Sequence, residues 1–279
     1  PAGGRRAHLQ VAVTQMDLEL TDKVAVITGP AKGMGAAISL GFAREGAHLA
    51  LLGRDTAAIT PVCAQAKELG VKAEVFSCDV TSSQSVDAAI AGVLAAFGRR
   101  IDILINVAGG TGPIGKTGLE TTQKEFDDIL RLNVLGPFNM IHAVAPVMKA
   151  SGGGKIVNVG GTFGMRGRAM RLSYSSSKWG LRGMTKSFAL ELGSDNINVN
   201  LVAPGMVDGP RFREKVVPQV AEQHGISLEE AAAKHAADYA LGRVSKDEDV
   251  AAATLFLASD CARQITGVDL PVDGGWAAL

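Results

Sequence analysis

The chain has 279 residues, 47% hydrophobic and 20% charged, with 28 Lys+Arg balanced by 28 Asp+Glu. At about 100–200 residues per domain this allows one large domain or two small ones, and the composition excludes a disordered tail or a fibrous repeat. Zero formal net charge removes the electrostatic case for nucleic acid, and no apolar run reaches the ~18–20 residues of a membrane span.

Three cysteines, Cys63, Cys78 and Cys261, lack metal-ligand spacing and leave one unpaired even if two were bridged. That suits a reducing compartment, so a soluble cytoplasmic protein without a structural metal is expected. Residues 1–15 do not fit the periodicity that follows, and Met16 reads like a natural start. They are taken as an extension to a single domain spanning 16–279.

From Lys23 onward, short apolar runs alternate with helix-length segments. Strands are expected at Val24–Thr28, Leu49–Leu52, Ala73–Ser77, Ile103–Asn106, Lys155–Val159, Asn198–Val202 and Asp269–Pro271. Several are apolar at consecutive positions, the pattern of parallel strands buried on both faces. Helices are expected at Gly35–Glu45, Ser83–Phe97, Gln123–Met148, Ser176–Leu192 and Glu248–Leu257. The alternation predicts an α/β fold, a doubly wound, seven-stranded parallel sheet with helices on both faces. The stretch Val207–Leu241 breaks the pattern. It is long and polar, with helical patches, and an insertion at a strand's carboxyl end is where active-site lids occur.

The first strand runs into Thr28-Gly29-Pro30-Ala31-Lys32-Gly33-Met34-Gly35. A turn leaving a buried parallel strand must let backbone N–H groups approach a pyrophosphate at the next helix N-terminus, and glycine permits that. On its own the triplet is also compatible with a tight strand-to-helix turn. Asp79-Val80, Asn106-Val107-Ala108-Gly109, Asn133, Tyr174-Ser175-Ser176-Ser177-Lys178, Pro204-Gly205 and Val272-Asp273-Gly274-Gly275 follow.

From about Leu20 to Trp276 this order and spacing resembles the short-chain dehydrogenase/reductase superfamily, its single-domain, Rossmann-type branch. The family glycine motif T-G-x-x-x-G-x-G is matched in full, its N-N-A-G appears as Asn106-Val107-Ala108-Gly109, and its Y-x-x-x-K is Tyr174 and Lys178. The resemblance implies an oxidoreductase moving hydride between a nicotinamide dinucleotide and a secondary alcohol or ketone, with no metal. It implies cofactor contacts from Gly29, Lys32, Gly33, Met34, Gly35, Arg54, Asp79, Val80, Asn106, Ala108, Gly109, Tyr174, Lys178, Pro204, Gly205 and Val207. Relatives are commonly homotetramers or homodimers, and helices 123–148 and 176–192 are candidates for such an interface.

Hydride transfer to a ketone needs a proton donor at the developing alkoxide. A phenol titrates near ~10, and a nearby ammonium lowers that value. Tyr174 and Lys178, at i and i+4, share a helix face; elsewhere such a pair is a solvated face. The resemblance adds a ribose hydrogen bond for Lys178 and a relay water for Asn133, whose alternative is a buried amide satisfying backbone.

The chain departs from the family at two points. The serine thirteen residues before the tyrosine, which polarises the substrate carbonyl, is Gly161 here. Thr162 or a glycine N–H replaces it, or the protein is a dinucleotide-binding scaffold or sensor that has lost catalysis. The threonine five residues after Pro204 is Gly209, which leaves Val207 backbone to hold the ring.

At the end of the second strand NAD-preferring relatives carry an acid. Here Gly53 and Arg54 stand there, with Lys32 before Gly33, which favours NADP(H) over the alternative NAD(H) unless Asp55 pairs with Arg54. Arg166, Arg168, Arg171, Arg211 and Arg213 gather near the expected pocket. Either they receive an anionic substrate group, with Gly161, Arg171 and Arg211 as substrate contacts, or they face solvent or another subunit.

Overall fold

Runs of consecutive apolar residues become strands covered on both faces. In β1 (Val24–Thr28) every residue is buried. Val24 and Val26 pack into one core and Ala25 and Ile27 into another, following the two-residue period of a strand. A computed structural model describes residues 17–278, so the expected extension at 1–15 and the Met16 start lie outside the described residues.

Among those residues β1, β2 (His48–Gly53), β3 (Ala73–Ser77), β4 (Ile103–Asn106), β5 (Gly154–Val159), β6 (Ile197–Pro204) and β7 (Asp269–Val272) form one parallel sheet. Its order is β3-β2-β1-β4-β5-β6-β7. The expected doubly wound, seven-stranded, Rossmann-like α/β fold is the one observed. The strand order reverses between β1 and β4, and a crevice therefore opens at their carboxyl ends.

The helices are α1 (Gly33–Arg44), α2 (Thr56–Glu68), α3 (Ser83–Ala96), α4 (Gln123–Leu130), α5 (Gly136–Ala150), α6 (Leu172–Leu192), α7 (Val217–His224), α8 (Leu228–Ala236) and α9 (Asp247–Leu257). On one side of the sheet α1, α2 and α9 bury Ile38, Phe42, Ile59, Val250 and Leu255. On the other, α3, α5 and α6 bury Val86, Ile90, Met140, Val144 and Ala189. Each large apolar side chain fully removed from water contributes about 1.5–3 kcal/mol, so both faces hold the sheet firmly and the crevice sits on a rigid frame.

Several boundaries shift by one or two residues from expectation, and two larger differences matter for the site. The single helix expected over 123–148 is divided by a π-helical turn, Arg131–Leu135, which carries the buried Asn133. An extra residue in a turn rotates the side chains after it, and such bulges recur at functional positions. The helix expected from Ser176 begins at Leu172, so Tyr174 lies inside its first turn.

The stretch 207–241 folds around its own apolar cluster of Phe212, Val217, Ala221 and Ala231. Ser227 and Glu230 form a reciprocal capping box that starts α8. No helix among the described residues is long and apolar enough to cross a membrane.

Candidate active site

A cleft of about 730 Å³ opens at the carboxyl ends of β1 and β4. The Thr28 hydroxyl accepts the backbone N–H groups of Val107 and Ala108, both at 3.1 Å, and so clips the ends of the two strands together. Gly29 has φ +67°, and a Cβ there would lie 2.9 Å from Ala108 Cα. A Cβ on Gly35 would run into the Gly29 carbonyl oxygen. These two glycines let α1 start directly against the turn.

The first turn of α1 has no acidic residue, and the Lys32 side chain caps none of its N–H groups. The free N–H groups and the positive end of the helix dipole are therefore available to an anion at the cleft, where Lys32, Gly33, Met34 and Gly35 all line the wall. Gly35→Ala should force the turn away from the helix at about 1–3 kcal/mol, lowering the melting temperature by about 2–12 °C. Thermal denaturation checks this; an unchanged melting temperature would mean that the contact is not needed.

The neighbouring wall carries Arg54, Asp79, Val80, Ala108 and Gly109. Asp55 does not pair with Arg54: its carboxylate caps α2 by accepting the Ala58 N–H at 3.0 Å. At Gly53, where an acidic residue would stand in an NAD-preferring site, a Cβ would meet Ile59 Cδ1 at 2.8 Å. The Asp79 carboxyl is held below its usual range, first by the Thr81 N–H, then by the Thr81 hydroxyl, with a further contribution from Arg54.

Asn106 is not on the cleft wall. Its side chain is buried and donates to Asn158 Oδ1 at 2.8 Å, while its own Oδ1 has no partner among the described residues. This side chain ties β4 to β5.

Tyr174 lines the cleft, with its ring edge-on to Phe163 at 6.0 Å. Lys178, one turn along α6, is buried, and its ammonium donates to the Val159 carbonyl at 3.1 Å, behind the wall. Burial pushes its pKa down to about 8. The Tyr174 phenol is raised by burial and pulled back by Arg171 and then Arg211. The Arg171 guanidinium lies 4.8 Å from the Tyr174 ring centre and the Lys178 ammonium 5.7 Å. Arg171 and Arg211 thus stand around the phenol together with Lys178, its expected electrostatic partner.

Asn133 is likewise behind the wall. Its Oδ1 accepts the Gly110 N–H at 2.8 Å, and its Nδ2 donates to the Gly110 carbonyl at 3.0 Å and to Ser177 Oγ at 2.9 Å. Ser177 in turn donates to the Tyr174 carbonyl at 2.7 Å. Both amide hydrogens are used by protein, so Asn133, the expected water holder, also serves as a strut. It connects the loop after β4 to the helix turn that bears Tyr174.

Gly161 stands beside the phenol, and a Cβ there would be 3.1 Å from the Tyr174 hydroxyl oxygen. Its backbone, φ 163° and ψ 150°, is extended and open to any residue. Thr162 is buried and lines the same wall. The Gly160 N–H is engaged with the Val202 carbonyl at 2.8 Å, which removes it as a substitute donor.

Pro204, Gly205, Val207 and Gly209 also line the cleft. Val207 bridges Ser245, with Ser245 N–H donating to Met206 and Asp208 N–H to Ser245, so Val207's own N–H and carbonyl stay outside the bridge.

Of the five arginines, Arg168, Arg171 and Arg211 reach the cleft, whereas Arg213 forms a bidentate pair with Asp208 at 2.7 and 2.9 Å. Arg166 stacks on Trp276 at 4.6 Å. Asp247 and His235 are among the lining residues that escaped sequence reading. Asp247 arrives from α9 through its packing against α1, and His235 comes from the segment 207–241. The Asp247 carboxyl is pushed up by burial, then by Glu248 and Asp208.

A protein family described as enoyl-(acyl carrier protein) reductase matches residues 29–277. The 3-oxoacyl-(acyl-carrier-protein) reductase FabG of Thermotoga maritima is 35% identical over 260 residues, covering 92% of this chain and 99% of its own length. The crystal structure of NAD+-bound xylitol dehydrogenase superposes with a TM-score of 0.86 at 30% identity, covering 92% of this chain and 100% of that one. An actinorhodin polyketide ketoreductase variant with NADPH superposes with a TM-score of 0.85 at 30% identity, covering 92% and 98%.

Proposed function

The chain belongs to the short-chain dehydrogenase/reductase superfamily, and from that premise we propose that it is an NADP(H)-preferring oxidoreductase interconverting a secondary alcohol and a ketone. The observation that carries this reading is the meeting, in one cleft, of the glycine turn at the α1 N-terminus with the Tyr174 hydroxyl. Relatives acting on alcohols and ketones, and neighbours holding NAD+ and NADPH, support a nicotinamide dinucleotide here.

The residues fit such a cofactor. The cradle at Gly29 and Gly35 has no room for a side chain, and the unpaired N–H groups of α1 suit a pyrophosphate. Asp79 and Val80 would border the adenine, and Val207 backbone the carboxamide. When bound, the dinucleotide supplies or accepts hydride at its nicotinamide ring. Tyr174 gives the proton to the developing alkoxide in reduction and takes it back in oxidation. Asn133 and Lys178 hold the Tyr174 turn and the Val159 carbonyl in place from behind the wall. Exposed Phe138, Trp179 and Leu190 on α5 and α6 support assembly of copies through those helices.

Arg54 and Lys32, both exposed at the rim, favour a 2′-phosphate, and the capping role of Asp55 leaves Arg54 unneutralised by it. Turnover of a ketone and alcohol panel, read by nicotinamide absorbance, should favour NADPH over NADH. Arg54→Ala should cut that kcat/KM ratio about tenfold, as loss of one charge-assisted hydrogen bond requires. An unchanged ratio removes Arg54 from the preference. Gly161 favours a second reading, a dinucleotide-binding scaffold or sensor, which would show tight cofactor binding with no turnover across the panel.

A further inference from the structure

Arg171 is a cleft residue whose setting the reaction above does not explain. It is 7% exposed, and Nε, Nη1 and Nη2 are all buried without an acceptor among the described residues. An isolated buried guanidinium is costly, and proteins normally pair it with a carboxylate or with carbonyls. Here its immediate surroundings are two aromatic faces, Tyr174 at 4.8 Å and Phe163 at 6.0 Å.

A second cation makes the arrangement less favourable still. Arg211, from the segment 207–241, also lines the cleft and lowers the Arg171 pKa after burial does. Of the acids on the wall, Asp55 caps α2, Asp79 accepts from Thr81, Asp247 lies against Gly33 and Asp238 lies beside His235 and Tyr239, and none of them accepts a hydrogen bond from Arg171. Two like charges facing a cleft with no protein counter-ion form a receptor for an anion, and the planar guanidinium fork matches a carboxylate.

We propose that Arg171, assisted by Arg211, grips the carboxylate of a short oxo or hydroxy acid whose reacting carbon is held at the Tyr174 hydroxyl. This rests on the reading of Tyr174 as proton donor and names the substrate class for it. The guanidinium sits over the ring that bears the reacting hydroxyl, so an acid touching both spans only a few ångströms. The carboxylate is therefore one or two carbon–carbon bonds from the reacting carbon. It keeps all its bonds through the reaction; the carbonyl carbon gains the hydride and its oxygen gains the Tyr174 proton.

The test compares acetoacetate with methyl acetoacetate, which has the same carbonyl without the charge, using the full chain and reduced cofactor. The wild-type protein should favour the acid in kcat/KM, and Arg171→Met should lower the acid-to-ester ratio by at least about tenfold. Arg171→Lys, which keeps the charge without the fork, should restore part of it. A melting-temperature rise caused by acetoacetate in the cofactor-loaded protein should vanish in Arg171→Met. An equal loss on acid and ester, or a rise that persists in Arg171→Met, overturns the clamp. Turnover of neither compound with the melting response intact in wild type and lost in the variant supports the clamp and faults the reaction instead.

Discussion

Tyr174→Phe is expected to lower kcat for ketone reduction by about 10²–10⁴-fold while leaving KM little changed, because a positioned proton donor acts in the transition state. The substitution removes one oxygen and keeps the ring, so the contacts to Phe163 and Arg171 persist. The hydroxyl makes no hydrogen bond to a described residue, so the melting temperature should hold, and a rate loss then reports chemistry rather than folding.

The pH profile gives a second reading of the same group. Burial raises the Tyr174 pKa above the ordinary phenol value, against the pull of Arg171 and Arg211. A raised pKa keeps the proton on, so reduction should be flat through neutral pH and fall only as pH climbs into the alkaline range. Oxidation, which needs the phenolate, should rise with pH toward the same region. An unchanged kcat in Tyr174→Phe, or reduction that fails already below neutral pH, would remove the phenol from the reaction.

Much of the fold was legible because buried parallel strands announce themselves: Val24–Thr28 and Ile103–Asn106 were read to the residue, as was the half-buried edge strand Ala73–Ser77. The glycine turn was legible because few residue types can stand where backbone meets backbone. Helix α2 was harder to see, since Pro61 lies inside it and reads as a breaker. No residue type marks the π-helical turn at Arg131–Leu135, which is set by packing around Asn133.

Spacing gave the face on which Tyr174 and Lys178 lie but not their depth. One lines the cleft while the other is tied behind it to Val159. Nor did spacing give the partners of Asn106 and Asn133, which are Asn158 in one case and Gly110 with Ser177 in the other. Arg171 was placed at the substrate border by its position before Tyr174. Its lack of an acceptor depends on what every neighbouring element presents, and that is a tertiary property.

Gly161→Ser is expected to raise kcat by about 10²-fold, the lower end of what one oxyanion donor supplies. The backbone at 161 is extended and suits serine, whose Cβ would lie 3.1 Å from the Tyr174 hydroxyl, close enough that the phenol must shift by a few tenths of an ångström, with the Pro204 carbonyl at 3.9 Å as the next residue. A serine Oγ there would stand next to the phenol, where it can donate to the same substrate oxygen. Thr162 sets how much of that gain is left to make. If its hydroxyl already polarises the carbonyl, Thr162→Ala will cost more in the wild-type background than in Gly161→Ser, because the new serine takes over the task. Steady-state kcat for the four proteins of this double-mutant cycle measures that coupling directly. A lower kcat in Gly161→Ser would show instead that the added side chain crowds the phenol, and that the glycine is there to admit the substrate rather than to leave a donor out.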